Sequence, residues 1–347
     1  MKLYNLNLQL FAGEATFDGN STGTESLSAE MKTFYDKTLI RKAKANLVHG
    51  QFGQKRPIPK NSGKTIEFRK FDSLPKALTP LTEGVAPAGQ KLSVTVITST
   101  IKQYGDYIKQ SDMLELTAID NTIVEGTQLL GNQAGLTLDT IDREVLNATT
   151  NVVYAPKVGE DGKKTQVTSR AALDATAVLS VDLVYKCATY LKAVNAPKID
   201  GYYVAIIHPY VAYDLMQKAG NQWMEVQKYA KPENMLTGEI GCLGGVRFVE
   251  STEAKIFTTD GGASDCPSGL AVYSTLFLGA NAYGITEVEG GGLETIVKQK
   301  GSAGGADPLN QYSTVGWKAT RATEILLDQY IIRCESCGEF SDVAEAN

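Results

Sequence analysis

The residue types that could do chemistry are few and scattered in this chain. Cys334 and Cys337 form a CxxC pair, whereas Cys187, Cys242 and Cys266 lie far apart in the sequence. A structural zinc site needs four ligands at regular spacing, and a redox CxxC pair normally opens a helix in a βαβ unit. This pair instead ends the last predicted strand. We therefore interpret it as structural, and keep a soluble thiol or metal enzyme that uses Cys334 and Cys337 as an alternative.

Three other patterns resemble parts of active sites but lack the remaining residues. Asn61–Thr65 ends like a phosphate-binding loop, yet Ile58 stands where the first glycine is required. His208 has no Ser or Cys partner near it in sequence, and the proline after it favours a helix start, so we interpret it as a capping residue. Carboxylate pairs such as Asp139 and Asp142 carry no motif. The sequence therefore predicts no catalytic residue, no cofactor and no metal site.

Charge is distributed unevenly along the chain. Residues 1–110 carry 16 Lys/Arg against 9 Asp/Glu, whereas residues 111–347 carry 18 against 30, for a net charge of −5. Most of the basic excess lies between Lys32 and Lys76, with 12 basic and 3 acidic residues. Such a block could lie on the acidic body of a neighbouring copy, form an ordinary solvated face, or bind nucleic acid, although its aromatic residues form no stacking motif.

Length and composition bound the protein class. The chain has 347 residues, 43% of them hydrophobic, which is enough for a substantial core and more than one domain. Five cysteines are an odd, sparse set, so we expect reduced thiols. In the opening segment MKLYNLNLQLFAG (1–13), Asn5, Asn7 and Gln9 interrupt the leucines, which makes a poor secretory signal. We expect a cytoplasmic protein, without a membrane segment, whose first residues are loosely ordered or dock late.

The predicted elements alternate between helices and strands. Residues 12–28 are small and polar, typical of an extended arm, and a helix follows from Ser28 to about His49. Residues 64–72 and 91–105 alternate apolar and polar side chains, which predicts a long hairpin with a wide tip. Each of its strands has one apolar face, so the hairpin needs a partner surface.

The second part of the chain predicts a mixed α+β fold. Asp112 and Glu115 make a capping box for a helix of about 35 residues, which would run about 50 Å. A second helix opens at Ser180, and residues 202–208 form a buried strand before a third helix. Short strands and glycine loops follow. Residues 301–319 form a distinctive loop without chemistry, which suggests a fit to another protein surface.

Four segments resemble the major capsid proteins of tailed bacteriophages, specifically those of the phage N4 type. They are LVHGQFGQKRPIPKNSGKTIEFRKFDSL (47–74), LTEGVAPAGQKLSVTVITSTIKQYGDYIKQSD (81–112), YVAIIHPYVAYDL (203–215) and ADPLNQYSTVGWK (306–318). The similarity extends along most of residues 34–335 and implies the Hong Kong 97-type fold. On that resemblance, we expect five segments: an N-terminal arm and first helix (1–58), an extended E-loop hairpin (59–110), a peripheral domain with a spine helix (111–200), an axial domain (201–295) and a return to the peripheral domain (296–347).

The same resemblance implies a structural function and a set of partners. We expect hexamers and pentamers that form an icosahedral shell around a double-stranded DNA genome, with a separate scaffolding protein, a portal and a possible decoration protein. DNA would be enclosed without sequence-specific binding. An encapsulin-like compartment of the same fold is the alternative. The candidate intersubunit contact residues are Arg56, Lys60, Arg69, Lys70, Lys76, Leu78, Leu81 and Trp317.

Overall fold

The structure is a computed structural model of the chain. It describes residues 39–40, 42–43, 47–61, 63–71, 74–80, 83–84, 86, 89–117, 122–220, 223–225, 236, 238–259, 266–267, 269–302, 309–341, 343 and 347. The expected arm over 12–28, the start of the first helix, Leu81 and part of the glycine loop before Leu309 lie outside these ranges. None of the described helices is both long and apolar enough to cross a membrane.

The described helices and strands confirm a mixed α+β protein. Residues 39–40 and 42–43 are helical, and the helices after them are α1 (Asp112–Thr117), α2 (Thr122–Asn147), α3 (Val181–Ala193) and α4 (Pro209–Ala219). The strands of the first part are β1 (Gln54–Lys55), β2 (Thr65–Phe71), β3 (Val94–Thr100), β4 (Lys102–Ser111), β5 (Val152–Tyr154), β6 (Lys157–Val158) and β7 (Lys164–Thr165). Those of the second part are β8 (Tyr203–Ile207), β9 (Met224–Glu225), β10 (Glu239–Leu243), β11 (Val246–Glu250), β12 (Ile256–Phe257), β13 (Val272–Leu278), β14 (Tyr283–Thr286), β15 (Glu294–Lys298), β16 (Tyr312–Ile325) and β17 (Ile331–Ser336).

Two sheets organise the described residues. The larger has the order β5-β17-β13-β8-β11-β10-β9, with β12 beside β13. The smaller joins β1, β14, β16 and β15, and β4 also pairs with β16 over ten residues. The sheets do not follow the expected segment boundaries, because β14 and β15 belong to the smaller sheet while β5 and β17 belong to the larger. Two small hairpins, β2–β3 and β6–β7, form separate two-stranded sheets.

Strand β8 lies near the centre of the larger sheet and is buried on both faces. Tyr203, Ala205 and Ile207 face one core cluster with α3 and α4, whereas Val204 and Ile206 face a second cluster. Burial on both sides explains why this strand is a continuous apolar run rather than an alternating one.

The strand β8 ends in the helix start that the sequence predicts. His208 is the N-cap of α4, and its Nδ1 accepts a hydrogen bond from the Tyr210 backbone N–H at 3.2 Å. Burial lowers the pKa of His208 from 6.5 to about 4, so the imidazole is neutral at physiological pH and keeps the lone pair that accepts this bond. The interpretation of His208 as a capping residue is confirmed.

Helix α2 packs across the smaller sheet. Its Leu130, Ala134 and Leu138 form a core cluster with Leu39 and Ala43 of the preceding helical residues, and with three side chains of β16, Val315, Trp317 and Ala319. The single helix of about 35 residues expected from Asp112 is instead described as α1 and α2, with residues 118–121 between them outside the described ranges.

A buried histidine–carboxylate pair attaches the chain before β1 to α2. Asp139 accepts hydrogen bonds from the backbone N–H groups of Val48 and His49, both at 2.7 Å, and its second oxygen lies 2.7 Å from His49 Nδ1. His49 and Asp139 are fully buried. Tyr283 of β14 donates its hydroxyl to the His49 carbonyl, and burial raises the pKa of Tyr283 well above its ordinary value, which keeps that donor proton in place.

One helical turn further along α2, a second carboxylate attaches β16. Asp142 receives hydrogen bonds from Arg321, whose Nε lies 3.1 Å from Oδ1, and from the Thr323 hydroxyl. The Asp142 side chain is fully buried and that of Arg321 is 11% exposed. We call His49, Asp139, Asp142, Arg321 and Thr323 the polar anchor. It joins α2, the segment before β1 and strand β16 at one place.

The packing of α2 gives a first prediction, which compares two of its glycines. A Cβ at Gly131 would lie 3.0 Å from the Leu39 carbonyl oxygen and 3.2 Å from the Leu39 Cα, whereas a Cβ at Gly126 would meet only Ile108 Cδ1 at 3.6 Å. Helix propensity favours alanine over glycine by about 1 kcal/mol at both positions. We expect Gly126→Ala to raise the free energy of unfolding of the unassembled subunit in urea, and Gly131→Ala to lower it. Equal effects would show that Leu39 does not pack as described.

The polar anchor gives a second prediction. Asp142→Asn leaves the Arg321 guanidinium buried without a charged partner, which we expect to reduce the free energy of unfolding by about 3–5 kcal/mol. The matched control is Glu125→Gln on the same helix, because Glu125 is exposed in the first turn of α2. An acidic side chain at such a position contributes about 0.3–1 kcal/mol. Urea unfolding of both variants checks this, and a small loss for Asp142→Asn would contradict the anchoring role.

Candidate assembly surface

The β2–β3 hairpin confirms the two strands that the sequence predicts, and its register fixes two different faces. Phe68 pairs with Ile97, and Arg69 pairs with Val96, along an antiparallel ladder from Thr65 to Phe71. Since directly paired residues share a face, Phe68 and Ile97 lie on one side and Arg69 and Val96 on the other. The apolar rows of the two strands are therefore on opposite faces.

One face of the hairpin rests on its own subunit. Phe68 is 3% exposed, and its ring lies against Gly284 of β14, where a Cβ would come within 2.7 Å of Phe68 Cε1. The Ser99 hydroxyl donates to Glu324 Oε1 of β16 at 3.4 Å. The base of the hairpin is therefore fixed to the smaller sheet, and only a glycine at 284 allows the ring to approach so closely.

The other face and the tip carry exposed apolar side chains. Val94 and Val96 are 43% and 48% exposed, and in the tip Leu74, Leu78 and Leu92 are 54%, 81% and 68% exposed. A two-stranded hairpin has no core of its own that could cover them. These five side chains lie in one hairpin and are left exposed by the described residues of the subunit, which is typical of a protein contact surface. We call them the apolar arm.

The chain leaves the hairpin earlier than the sequence suggests. The expected second strand runs over 91–105, but β3 ends at Thr100, and β4 begins at Lys102 as a strand of the smaller sheet. The Ile101 backbone N–H donates to the Lys64 carbonyl at 2.9 Å and closes the base of the hairpin. Beyond this point the backbone groups of β4 pair with β16 instead of β2. The alternation of apolar and polar side chains in the sequence does not record which strand is the partner.

The candidate contact residues on the hairpin and before it are at the surface. Arg56, Lys60, Arg69 and Lys76 are exposed, and Lys70 is partly exposed. Arg69 lies 3.6 Å from Glu67, and both side chains are more than half exposed. The Arg56 guanidinium lies 5.9 Å from the centre of the Phe68 ring. Arg69, Lys70 and Lys76 belong to the same hairpin as the apolar arm, whereas Arg56 and Lys60 precede it, with Arg56 on the side of Phe68.

Trp317 differs from the other candidate contacts because it is buried inside the subunit. Its side chain is 4% exposed, packs in the α2 cluster, and donates its indole N–H to Gln133 Oε1 at 3.1 Å. The sequence position in a distinctive loop suggested a surface role, but the strand register turns the indole toward α2. We therefore do not retain Trp317 as an intersubunit contact.

The cysteines of the CxxC pair lie in the core of the larger sheet. Cys334 and Cys337 are both fully buried in the cluster that α3 and α4 share with the sheet. A hydrogen bond with the neighbouring Cys187 thiol, together with burial, raises the pKa of Cys334 well above its ordinary value, which disfavours a reactive thiolate. In the described part of the chain, no three His, Cys, Asp or Glu side chains lie close enough together to hold a metal ion.

Comparison with known families identifies a match over more than half of the chain. The family model described as phage capsid protein matches residues 121–303 of the 347. This range includes α2, the whole of β8 and most of the larger sheet. No curated protein matches the chain.

Three solved structures to which the chain is similar in fold are capsids or heads of phages. The capsid of Ralstonia phage GP4 has 16% identity and a TM-score of 0.64, with 99% of this chain and 100% of that chain covered. The capsid of cyanophage P-SCSP1u has 13% identity and a TM-score of 0.58, covering 83% and 87%. The head of Helicobacter pylori bacteriophage KHP40 has 11% identity and a TM-score of 0.57, covering 97% and 99%.

These similarities confirm the Hong Kong 97-type fold that the sequence segments imply, whereas the N4-type subfamily stays a prediction. Given a family model that spans more than half of its residues, the chain belongs to the phage capsid protein family: it is a structural subunit, not an enzyme, which assembles with copies of itself into the shell of a phage particle.

Proposed function

We propose that the apolar arm is the intersubunit clamp of this capsid protein. Each subunit would extend its β2–β3 hairpin over the body of a neighbour, and repeated contacts of this kind would build hexamers and pentamers of an icosahedral shell around a double-stranded DNA genome. Contacts between different surfaces of identical subunits form rings when the rotation closes. No reactive residue is needed for this function, because the driving force is burial of surface.

The observation that carries the proposal is the exposure of the apolar arm on a hairpin whose opposite face packs against its own subunit. Leu74, Leu78, Leu92, Val94 and Val96 all face solvent while the opposite face of the same hairpin is fixed by Phe68. Full burial of one leucine or valine side chain contributes about 1.5–3 kcal/mol. A neighbour that covered several of them would therefore gain several kcal/mol of burial free energy. This gain opposes the entropy cost of ordering the hairpin in the contact.

Charge supports the same arrangement. The cations on the hairpin and just before it belong to the basic part of a chain whose remainder is acidic; they are Arg56, Lys60, Arg69, Lys70 and Lys76. Opposite charges on the two contacting surfaces would steer the hairpin onto its neighbour and fix the register of the contact. Leu81 would join the same contact, by its position in the hairpin tip.

We assign the domains from the two sheets. The smaller sheet with α2 would be the peripheral domain, and the larger sheet with α3 and α4 would be the main part of the axial domain. The expected ranges 111–200, 201–295 and 296–347 describe this division approximately, since β14 and β15 lie in the smaller sheet and β5 and β17 in the larger. Residues 1–58 would form the N-terminal arm and first helix, and 59–110 the extended loop.

The remaining partners follow from the proposed shell. We infer a separate scaffolding protein, a portal and a possible decoration protein, as the resemblance to capsid proteins of tailed bacteriophages implies. Assembly would take place in the host cytoplasm, where five buried cysteines outside disulfides are stable as reduced thiols. The acidic balance of residues 111–347 would limit adhesion of packaged DNA to the shell.

The clamp is tested by shortening the hairpin. Replacing residues 73–90 with a short Gly-Asn turn removes Leu74 and Leu78 but leaves both strands and the Phe68 contact. We expect a soluble subunit with an unchanged circular dichroism spectrum and thermal melt that forms no closed shells in electron micrographs. The matched control shortens the β6–β7 turn at residues 159–162 in the same way and should assemble. Normal shells from the shortened hairpin would refute the clamp, and loss of folding would place the hairpin in the subunit core.

The electrostatic part is tested by charge reversal. Arg69, Lys70 and Lys76 changed together to Glu should reduce assembly strongly, whereas the same change at Lys157, Lys163 and Lys164, on another exposed hairpin, should have a smaller effect. Exposed charges are screened over about 8 Å at physiological ionic strength, so assembly of the unaltered protein should also weaken as salt rises. Light scattering against salt concentration measures both. Equal effects of the two triple variants, or indifference to salt, would contradict steering by these cations.

A further inference from the structure

A groove along α2 is left open by the subunit. It has a volume of about 600 Å³ and is lined mainly by Leu129, Leu136, Thr140 and Ile141 of α2 and by Tyr104 of β4. The first three lie at positions i, i+7 and i+11, which places them on one helical face. Leu129 is 65% exposed and Leu136 is 36% exposed. This face therefore has an apolar stripe that the described residues do not cover.

The floor of the groove is fixed by hydrogen bonds. Gln133 donates its Nε2–H to Asp106 Oδ2 at 2.6 Å and accepts the Trp317 indole N–H at 3.1 Å. The hydrogen bond from Gln133, and a second one from the Tyr107 backbone N–H, lower the pKa of Asp106 below its ordinary value. All the side chains that line the groove are uncharged. The groove therefore suits an apolar segment with neutral polar groups better than a charged one.

The described chain begins on α2, on the side of the helix opposite this groove. Leu39 lies against Gly131, since a Cβ there would come within 3.2 Å of the Leu39 Cα, and Gly131 is turned about 200° around the helix from Leu129. Residues 12–38 could span up to about 90 Å when extended, far more than the length of α2. Any segment before residue 12 can therefore reach the groove of its own subunit.

Residues 3–11 have the composition that the groove requires. Leu6, Leu8 and Leu10 alternate with Asn7 and Gln9, and the whole segment LYNLNLQLF carries no charge. In an extended conformation the three leucines share one face, and the amides face the other way. The leucines match the stripe of Leu129 and Leu136, while the amides match the Asn, Gln and Thr side chains at its border.

We propose that residues 3–11 dock in the groove between α2 and β4 of their own subunit, with Leu6, Leu8 and Leu10 covering Leu129 and Leu136. The tether supplies the segment at a local concentration on the order of millimolar, so that a weak intrinsic affinity is enough for high occupancy. Docking removes the exposed apolar stripe of α2. It is a contact within one subunit, separate from the intersubunit clamp, and the hairpin variants do not test it.

A cross-linking experiment on the full chain tests the contact. A variant with Leu8→Cys and Leu136→Cys is treated with a short bis-maleimide, both as dissociated subunits and as assembled particles. The five native cysteines are buried and do not compete. We expect a cross-linked monomer of altered mobility on a denaturing gel. The control pairs Leu8→Cys with Lys163→Cys, in the exposed β6–β7 turn, and should cross-link about tenfold less. Equal cross-linking of both pairs, or cross-linked dimers instead of monomers, would overturn docking on the same subunit.

A labelling experiment gives a second readout that does not depend on two engineered cysteines. Leu136→Cys alone is labelled with a water-soluble maleimide, in the full chain and in the same chain with Leu6→Ser, Leu8→Ser and Leu10→Ser. Occupancy of about 90% corresponds to labelling about tenfold slower than in the serine variant. An unchanged labelling rate would refute the proposal. This holds in the assembled particle as well, because protection of the cysteine at position 136 by another surface or another protein would not depend on Leu6, Leu8 and Leu10.

Discussion

Two carboxylates on α2 hold together the parts of the subunit that must stay in register. Asp139 fixes the backbone at Val48 and His49, and Asp142 fixes β16 through Arg321 and Thr323. Because the Asp142 pair is buried, breaking one partner costs far more than breaking a surface pair. The β2–β3 hairpin begins shortly after His49 and its base contacts the sheet that contains β16. The polar anchor therefore holds α2 against the sheet on which the hairpin rests.

The hairpin combines a fixed base with uncovered apolar surface. Phe68 is seated against Gly284, while Leu78 and Leu92 remain exposed at the tip. The two sheets of the subunit pack on core clusters of their own, whereas its described residues leave the apolar arm exposed. This separation of a folded body from an uncovered arm suits a shell protein, which must remain soluble until it assembles.

Residues that suggested chemistry serve the packing instead. His208 caps α4 as a neutral acceptor, and Cys334 lies beside Cys187 in the core with a raised pKa. Asp139 and Asp142, which carry no motif in the sequence, each take part in three hydrogen bonds to segments distant along the chain. The role of these carboxylates is visible only from their hydrogen-bond partners. His49 lies 90 residues from Asp139 along the chain, and Arg321 lies 179 residues from Asp142.

The sequence alone determined the local structure and, through four segments resembling a known family, the fold class and the shell function. The β8 strand, the His208 cap and the β2–β3 hairpin all follow from short-range patterns of apolar residues, proline and turn residues. Tertiary structure decided the rest. It showed that β3 and β4 belong to different sheets, that Trp317 faces α2, and that Asp139 and Asp142 join distant segments. The physical reason is that alternation and helical periodicity state which face of an element is apolar, but not which element will cover it. That choice depends on contacts between residues far apart in sequence, such as Asp142 with Arg321, which no local pattern records.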